Sequence, residues 1–196
     1  SHELRTPLNA VIGYSELMLE TAEDEGNSQY ISDLRNIQAS GKHLLALINN
    51  VLDLSKIEAG RMELYLETFP LKDIIGEVEG TVRPLATQNK NTLKVNCPAG
   101  IGNMLSDLTK LRQILFNLLS NACKFTKKGT VSLDVSRLKD PDGDRIRFAV
   151  TDQGIGMTAN EIETVFNAFI QADSGTSREF GGTGLGLAIT DSFSRM

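Results

Sequence analysis

The sequence predicts an α + α/β chain: a helical hairpin followed by a mixed α/β domain. Three observations point there. Residues 1–66 repeat apolar residues at helical spacing with almost no strand signal. After about Leu66 the pattern becomes an alternation of helical and strand-like segments. A glycine-rich stretch then leads into a closing helix from about Gly184.

In the first part, Leu4, Leu8, Val11, Ile12, Ser15, Met18 and Leu19 form one stripe, mostly three, four or seven residues apart. The polar stretch TAEDEGNS interrupts it, with Gly26 and Asn27 as turn formers. The stripe resumes at Tyr30 and runs through Leu34, Ile37, Leu44, Leu47, Ile48, Val51 and Leu54. Ile37, Leu44 and Val51 are seven apart, the spacing of a bundle seam. A lone hairpin leaves such stripes in water. Two copies pairing as a dimeric four-helix bundle is the expectation, with packing against the rest of the chain as the alternative. Pro7 falls inside the first helix and should bend its axis just after His2.

The second part reads as a helix over 71–86, a strand over 92–96 and a long amphipathic helix over 108–125. Strands over 130–138 and 145–151 follow, joined by the turn Asp140-Pro141-Asp142-Gly143-Asp144. The boundary is expected near residues 67–70, giving parts of 1–66 and 67–196 with no internal repeat.

Composition excludes several classes. The 196 residues carry 20 Lys+Arg against 25 Asp+Glu, a net charge of −5, which argues against a nucleic-acid partner. Cys97 and Cys123 lack zinc-ligand spacing and read as small buried hydrophobes in a reducing compartment. There is no signal peptide and no apolar run of membrane-span length, so a cytoplasmic piece is expected.

Four segments carry chemistry. SHELRTPLNA sets His2 beside Glu3, so a largely neutral nucleophile has a carboxylate able to take its ring proton. Taken alone, such a pair is a solvated helix face more often than a catalytic centre. In LRQILFNLLSNACKFT, Asn117, Asn121 and Lys124 share one helical face. Amide oxygens there suit Mg²⁺ and the ammonium suits phosphate, although one Asn by itself could serve only as a cap. TDQGIGM ends a strand in Asp152, followed by Gly154 and Gly156; it fits an adenine amine or a plain turn. In EFGGTGLGLAI, Gly181, Gly182, Gly184 and Gly186 open an apolar helix whose first amides could hold an anion. A ligand-free hinge is the alternative.

The order of these segments is more specific than any one of them. HELRTP resembles the H-box of sensor histidine kinases. The Asn-Asn-Lys helix, the D-x-G-x-G turn and the glycine-rich helix start resemble that family's N, G1 and G2 boxes. Phe166 and Phe169 resemble its F-box. The nucleotide module of this family is shared with gyrase, heat-shock chaperones and MutL.

The resemblance implies a dimerisation and phosphotransfer hairpin before a Bergerat-type α/β sandwich that binds ATP and Mg²⁺. His2 would be the phosphoacceptor, Glu3 its base, and Thr6 the residue that orients water in a phosphatase reaction. ATP would lie between the long helix and a lid over 157–180, with Asp152 on adenine and Thr183 nearby. Asn117 and Asn121 would hold Mg²⁺, and Lys124 would balance phosphate charge. Gly154 and Gly156 would let the backbone approach the base, while Gly182, Gly184, Leu185 and Gly186 would follow the phosphates. Arg178 is the expected γ-phosphate contact. The implied partners are a response-regulator receiver domain and a second copy of the hairpin.

Family members carry more helix before the H-box and a final strand pair after the G2 helix, so a fragment lacking those strands is expected. Two rival readings remain: an ATPase of the same group without a kinase role, and a non-enzymatic dimerising module that docks a partner. His43, in GKHLLALI, has no acidic neighbour and is expected on the bundle surface. Glu23, Asp24 and Glu25 are expected in a solvated loop.

Overall fold

The computed structural model describes residues 2–139, 141, 143–170 and 184–196, apart from the side chain of His2. Arg178, Gly181, Gly182, Thr183, residues 171–180 of the expected lid, and Asp140 and Asp142 of the expected turn lie outside the described residues. The chain divides into two compact units, Ser1–Met62 and Glu63–Met196.

The first unit is a hairpin of α1 (His2–Asp24) and α2 (Ser28–Glu58). The connection is much shorter than TAEDEGNS suggests, because α1 continues through the polar residues to Asp24. Polar composition does not stop a helix; a left-handed residue does. Gly26 takes φ 68°, the Gly26 amide donates to the Glu23 carbonyl at 3.2 Å, and the Asn27 amide donates to Ala22 at 3.0 Å. Asn27 then caps α2 by accepting from the Tyr30 amide. Glu23 and Asp24 are therefore helical rather than in a loop, and Glu23 pairs with Arg35 across the hairpin.

The buried seam is also narrower than the predicted stripe. Ile12, Ser15, Ala22 and Leu34 are buried, whereas Leu4, Val11 and Met18 are about half exposed or more. Gly41 makes the close approach possible, since a Cβ there would stand 2.9 Å from Ile12 Cγ1. His43 is exposed, and α1 runs unbroken through Pro7.

The second unit contains β1 (Glu67–Pro70), α3 (Leu71–Gln88), β2 (Thr92–Asn96), β3 (Asn103–Ser106) and α4 (Leu108–Phe125). β4 (Thr130–Leu138), β5 (Arg145–Asp152), α5 (Ala159–Thr164) and α6 (Gly186–Ser194) follow. One sheet has the order β2-β4-β5, parallel then antiparallel; β1 and β3 form a separate antiparallel pair. Strands β1 and β3 and helix α5 have no counterpart in the sequence reading.

Alternation along β4 turns Val131, Leu133 and Val135 into the core, where they meet Ile74, Val78 and Val82 of α3 and Leu115 and Leu119 of α4. Cys123 joins that core, but Cys97 is only half-buried, at the edge of β2. The exposed face of α4 is thereby set above a rigid base. Among the described residues no helix is long and apolar enough to cross a membrane.

Candidate functional site

Helix α4 organises the second unit. Its start is capped by Asp107, whose Oδ1 accepts from the Lys110 amide at 3.0 Å. Asp107 Oδ2 accepts from Lys110 Nζ at 2.7 Å and from the Tyr65 amide at 3.0 Å. Burial pushes the Asp107 carboxyl up, but these bonds and the Lys110 charge more than offset it and leave it below the usual carboxylate range.

The far end of α4 is held as firmly. Side-chain amides of Asn89 and Asn91 donate to the Cys123 carbonyl at 3.0 and 2.9 Å, and Asn91 also donates to Thr126 O at 2.8 Å. These bonds satisfy carbonyls that a helix terminus leaves unpaired. Neither asparagine featured in the sequence reading.

Asn117, Asn121 and Lys124 are all half-buried on α4. The Asn117 amide nitrogen donates to the Gly186 carbonyl at 3.3 Å, which ties the N-box to the start of α6. Desolvation lowers the Lys124 ammonium from the ordinary lysine value, and its Nζ stands 4.8 Å from the Phe125 ring centroid. Leu185 is buried at the N-terminus of α6, which carries no side-chain cap.

The turn after β5 docks on the opposite end of α4. Asp152 Oδ1 accepts from the Gly154 amide at 2.8 Å and from Thr126 Oγ1 at 3.5 Å. The Ile155 amide reaches the Phe125 carbonyl at 3.4 Å, and Gln153 Oε1 accepts from the Thr130 amide at 2.9 Å. Gly156 has φ 70° and is exposed. The G1 turn and the G2 helix start therefore both meet α4, one near its end and one near Asn117.

The F-box adds a third tie. Gly184 takes φ 68°, and its carbonyl accepts from the Phe169 amide at 3.0 Å. A Cβ on Gly184 would lie 2.9 Å from Ile170 O, so only glycine fits. Phe169 itself has φ 66°, a strained value for an aromatic residue, and its ring is exposed. Residues 170 and 184 thus leave from adjoining backbone.

In the first unit, Glu3 and Thr6 are exposed on the opening turns of α1. Arg5 Nε donates to Asn49 Oδ1 at 2.8 Å and fastens that end of α1 to α2. The pair is 44 residues apart in sequence, which is why the sequence reading missed it.

Two families match the chain. Residues 1–60 match the His Kinase A (phospho-acceptor) domain, and residues 106–196 match the histidine kinase-, DNA gyrase B-, and HSP90-like ATPase. The chain is 42% identical over 198 residues to the non-motile and phage-resistance protein of Caulobacter vibrioides. It is 37% identical over 197 residues to the autoinducer 2 sensor kinase/phosphatase LuxQ of Vibrio cholerae. Both alignments cover 100% of this chain and only 23% of the relative.

Among solved structures, full-length ShkA in complex with AMPPNP superposes with a TM-score of 0.78 at 34% identity, over 99% of this chain and 39% of that one. The histidine kinase AdeS of Acinetobacter baumannii, at 20% identity, shares the fold with a TM-score of 0.64 over 98% of this chain and 85% of its own. With a phospho-acceptor hairpin and an ATPase domain matched in that order, the chain belongs to the sensor histidine kinases as their two-domain core.

Proposed function

We propose that this chain is a histidine kinase core. Residues 67–196 bind Mg²⁺ and ATP, and residues 1–66 dimerise and receive the γ-phosphoryl group on His2. The phosphoryl group then passes to an aspartate of a response-regulator receiver domain. The observation that carries this reading is the hydrogen bond from Asn117 to the Gly186 carbonyl. It supports one continuous phosphate site built from the N and G2 boxes, in a chain that also contains HELRTP.

Phosphoryl transfer asks mainly for in-line positioning and charge neutralisation. A ring nitrogen of His2 attacks the γ-phosphorus. The N–P bond forms as the bond to the β–γ bridging oxygen breaks and ADP leaves. Glu3 accepts the proton from the other ring nitrogen. Asp152 accepts from the adenine amine, while Lys124 and the uncapped amides at the start of α6 meet the phosphates.

The donor chemistry of α4 fits magnesium. With the Asn117 nitrogen turned to Gly186, its Oδ1 is left as a hard oxygen donor, one helical turn before Asn121. Bound there, Mg²⁺ would shield phosphate charge. Arg178, Gly182 and Thr183 belong to the same proposed site on the strength of their motif positions.

Ile37, Leu44 and Val51 are 47%, 48% and 40% exposed in the single chain, which supports their burial against a second copy. Thr6 supports a phosphatase role towards the receiver, as does the identity with a sensor kinase/phosphatase.

Incubation with γ-labelled ATP separates the three readings. Acid-labile, base-stable label on the protein is the expected result. Release of labelled inorganic phosphate alone would identify an ATPase without kinase activity. ATP binding with neither product would identify a docking module.

A further inference from the structure

The Asn-Asn-Lys motif of α4 ends at Lys124, and two residues later the structure places Thr126. It is fully buried, at the C-cap of α4. A buried hydroxyl needs a partner, and Thr126 Oγ1 reaches Asp152 Oδ1 at 3.5 Å, a long hydrogen bond that closes when the carboxylate is held by a ligand. That same oxygen accepts from the Gly154 amide at 2.8 Å. Among the described residues, Asp152 Oδ2 has no hydrogen-bond partner.

Thr126 is itself held in place. The Asn91 amide grips its carbonyl at 2.8 Å, its own amide donates to Ala122 O at 3.1 Å, and its methyl lies against Gly129, where a Cβ would come to 2.7 Å. The arrangement is a relay from the α3–β2 turn through Thr126 to one oxygen of Asp152. With Oδ1 occupied twice, the carboxylate cannot rotate to exchange its oxygens without giving up both bonds. One acceptor, Oδ2, is left in a fixed direction.

We infer that Thr126 is a specificity-determining positioning residue: it locks the Asp152 carboxylate so that Oδ2 presents a single oriented acceptor to the exocyclic amine of the purine. The inference rests on the proposed reading of Asp152 as the adenine contact. It adds that discrimination for a 6-amino purine depends on a hydroxyl that never touches the nucleotide. A free carboxylate could turn either oxygen to several donors; a locked one rewards an N–H in one direction only.

The test uses the full chain and two probes, ATP and purine riboside 5′-triphosphate, in which hydrogen replaces the amine. Thr126→Val keeps the volume and removes the hydroxyl; Thr126→Ser keeps the hydroxyl. Dissociation constants by calorimetry are expected to show Thr126→Val binding ATP about five- to tenfold more weakly, as expected for one hydrogen bond. The same variant should bind the purine analogue within about twofold of wild type, and Thr126→Ser should restore ATP affinity. Equal weakening of both probes, or an unchanged ATP constant, would overturn the role of Thr126. Should Thr126→Val fail to fold, Thr126→Ser and Asn91→Asp in the same pair of titrations decide the matter. Loss of discrimination in Asn91→Asp supports the relay, and retained discrimination overturns it. A wild-type chain that binds the two probes equally overturns the reading of Asp152 itself, and the Thr126 role with it.

Discussion

The Phe125 carbonyl and Gly154 stand so close that a Cβ on Gly154 would lie 2.6 Å from that oxygen and 2.8 Å from Asp152 Oδ1. The turn after β5 seats on the end of α4 only because position 154 has no side chain. Gly154→Ala must lift the turn and Asp152 with it. ATP affinity is expected to fall at least about tenfold, with a stability loss of about 1–3 kcal/mol, the usual range for overpacking. Titration calorimetry and thermal melting check both numbers; an alanine variant that binds ATP like wild type contradicts the close approach.

Lys124 gives a prediction of opposite sign for stability and binding. Burial depresses its pKa in the folded chain below the unfolded value near 10.5. Between those two values the unfolded chain holds more protons, so this group makes stability rise with pH. The desolvation cost is complete at neutral pH and disappears as pH climbs through the depressed value towards 10.5. Lys124→Met should therefore melt no lower than wild type at pH 7, with the difference narrowing as the pH rises towards 10.5, while ATP affinity drops about tenfold from loss of a charge-assisted contact. A variant that loses melting temperature and keeps ATP affinity would show that the lysine serves the fold alone.

At the other end of α4, Asp107 links stability to acid. Its folded pKa lies below 3.8, so the native state binds fewer protons than the unfolded chain in that window. The stabilisation is full at neutral pH and is lost as pH falls below 3.8 through the folded value. Asp107→Ala removes the helix cap and the Lys110 partner, at a cost of about 2–3 kcal/mol at pH 7. Urea unfolding should show that gap shrinking as the buffer is taken below the ordinary aspartate pKa. A gap independent of pH would mean that capping geometry, not charge, carries the effect.

Leu44 tests the assembly. It lies 48% exposed between Ile37 and Val51, on the face of α2 next to the buried Leu34 and Gly41. Leu44→Glu should convert a dimer into a monomer by sedimentation, because a charge at a bundle seam has no partner to offset its desolvation. A wild-type chain that already sediments as a monomer at tens of micromolar rules out the bundle.

The parts of this fold that the sequence made legible are those with long, unbroken periods. The span 108–125 of α4 and 130–138 of β4 follow from apolar spacing sustained over four turns and from strict alternation. Strands β1 and β3, of four residues each, are too short to establish a period of two, and β1 ends in a proline. The loop between α1 and α2 was overestimated because glycine backbone conformation, rather than polarity, ends α1.

The site divides the same way. Asn117, Asn121 and Lys124 are readable because they recur on one helix face. Thr126 and Asn91 are not, since their partners lie 26 and 35 residues away and only the tertiary fold joins them.

The central claim is that the chain places the phosphoryl group of ATP on His2. Tandem mass spectrometry under alkaline conditions, after incubation of the full chain with Mg²⁺ and ATP, locates the modification directly. The account predicts phosphohistidine at position 2, none at His43, and no modification in His2→Gln. Phosphate on His43, or a persistent acid-labile label in His2→Gln, would contradict it.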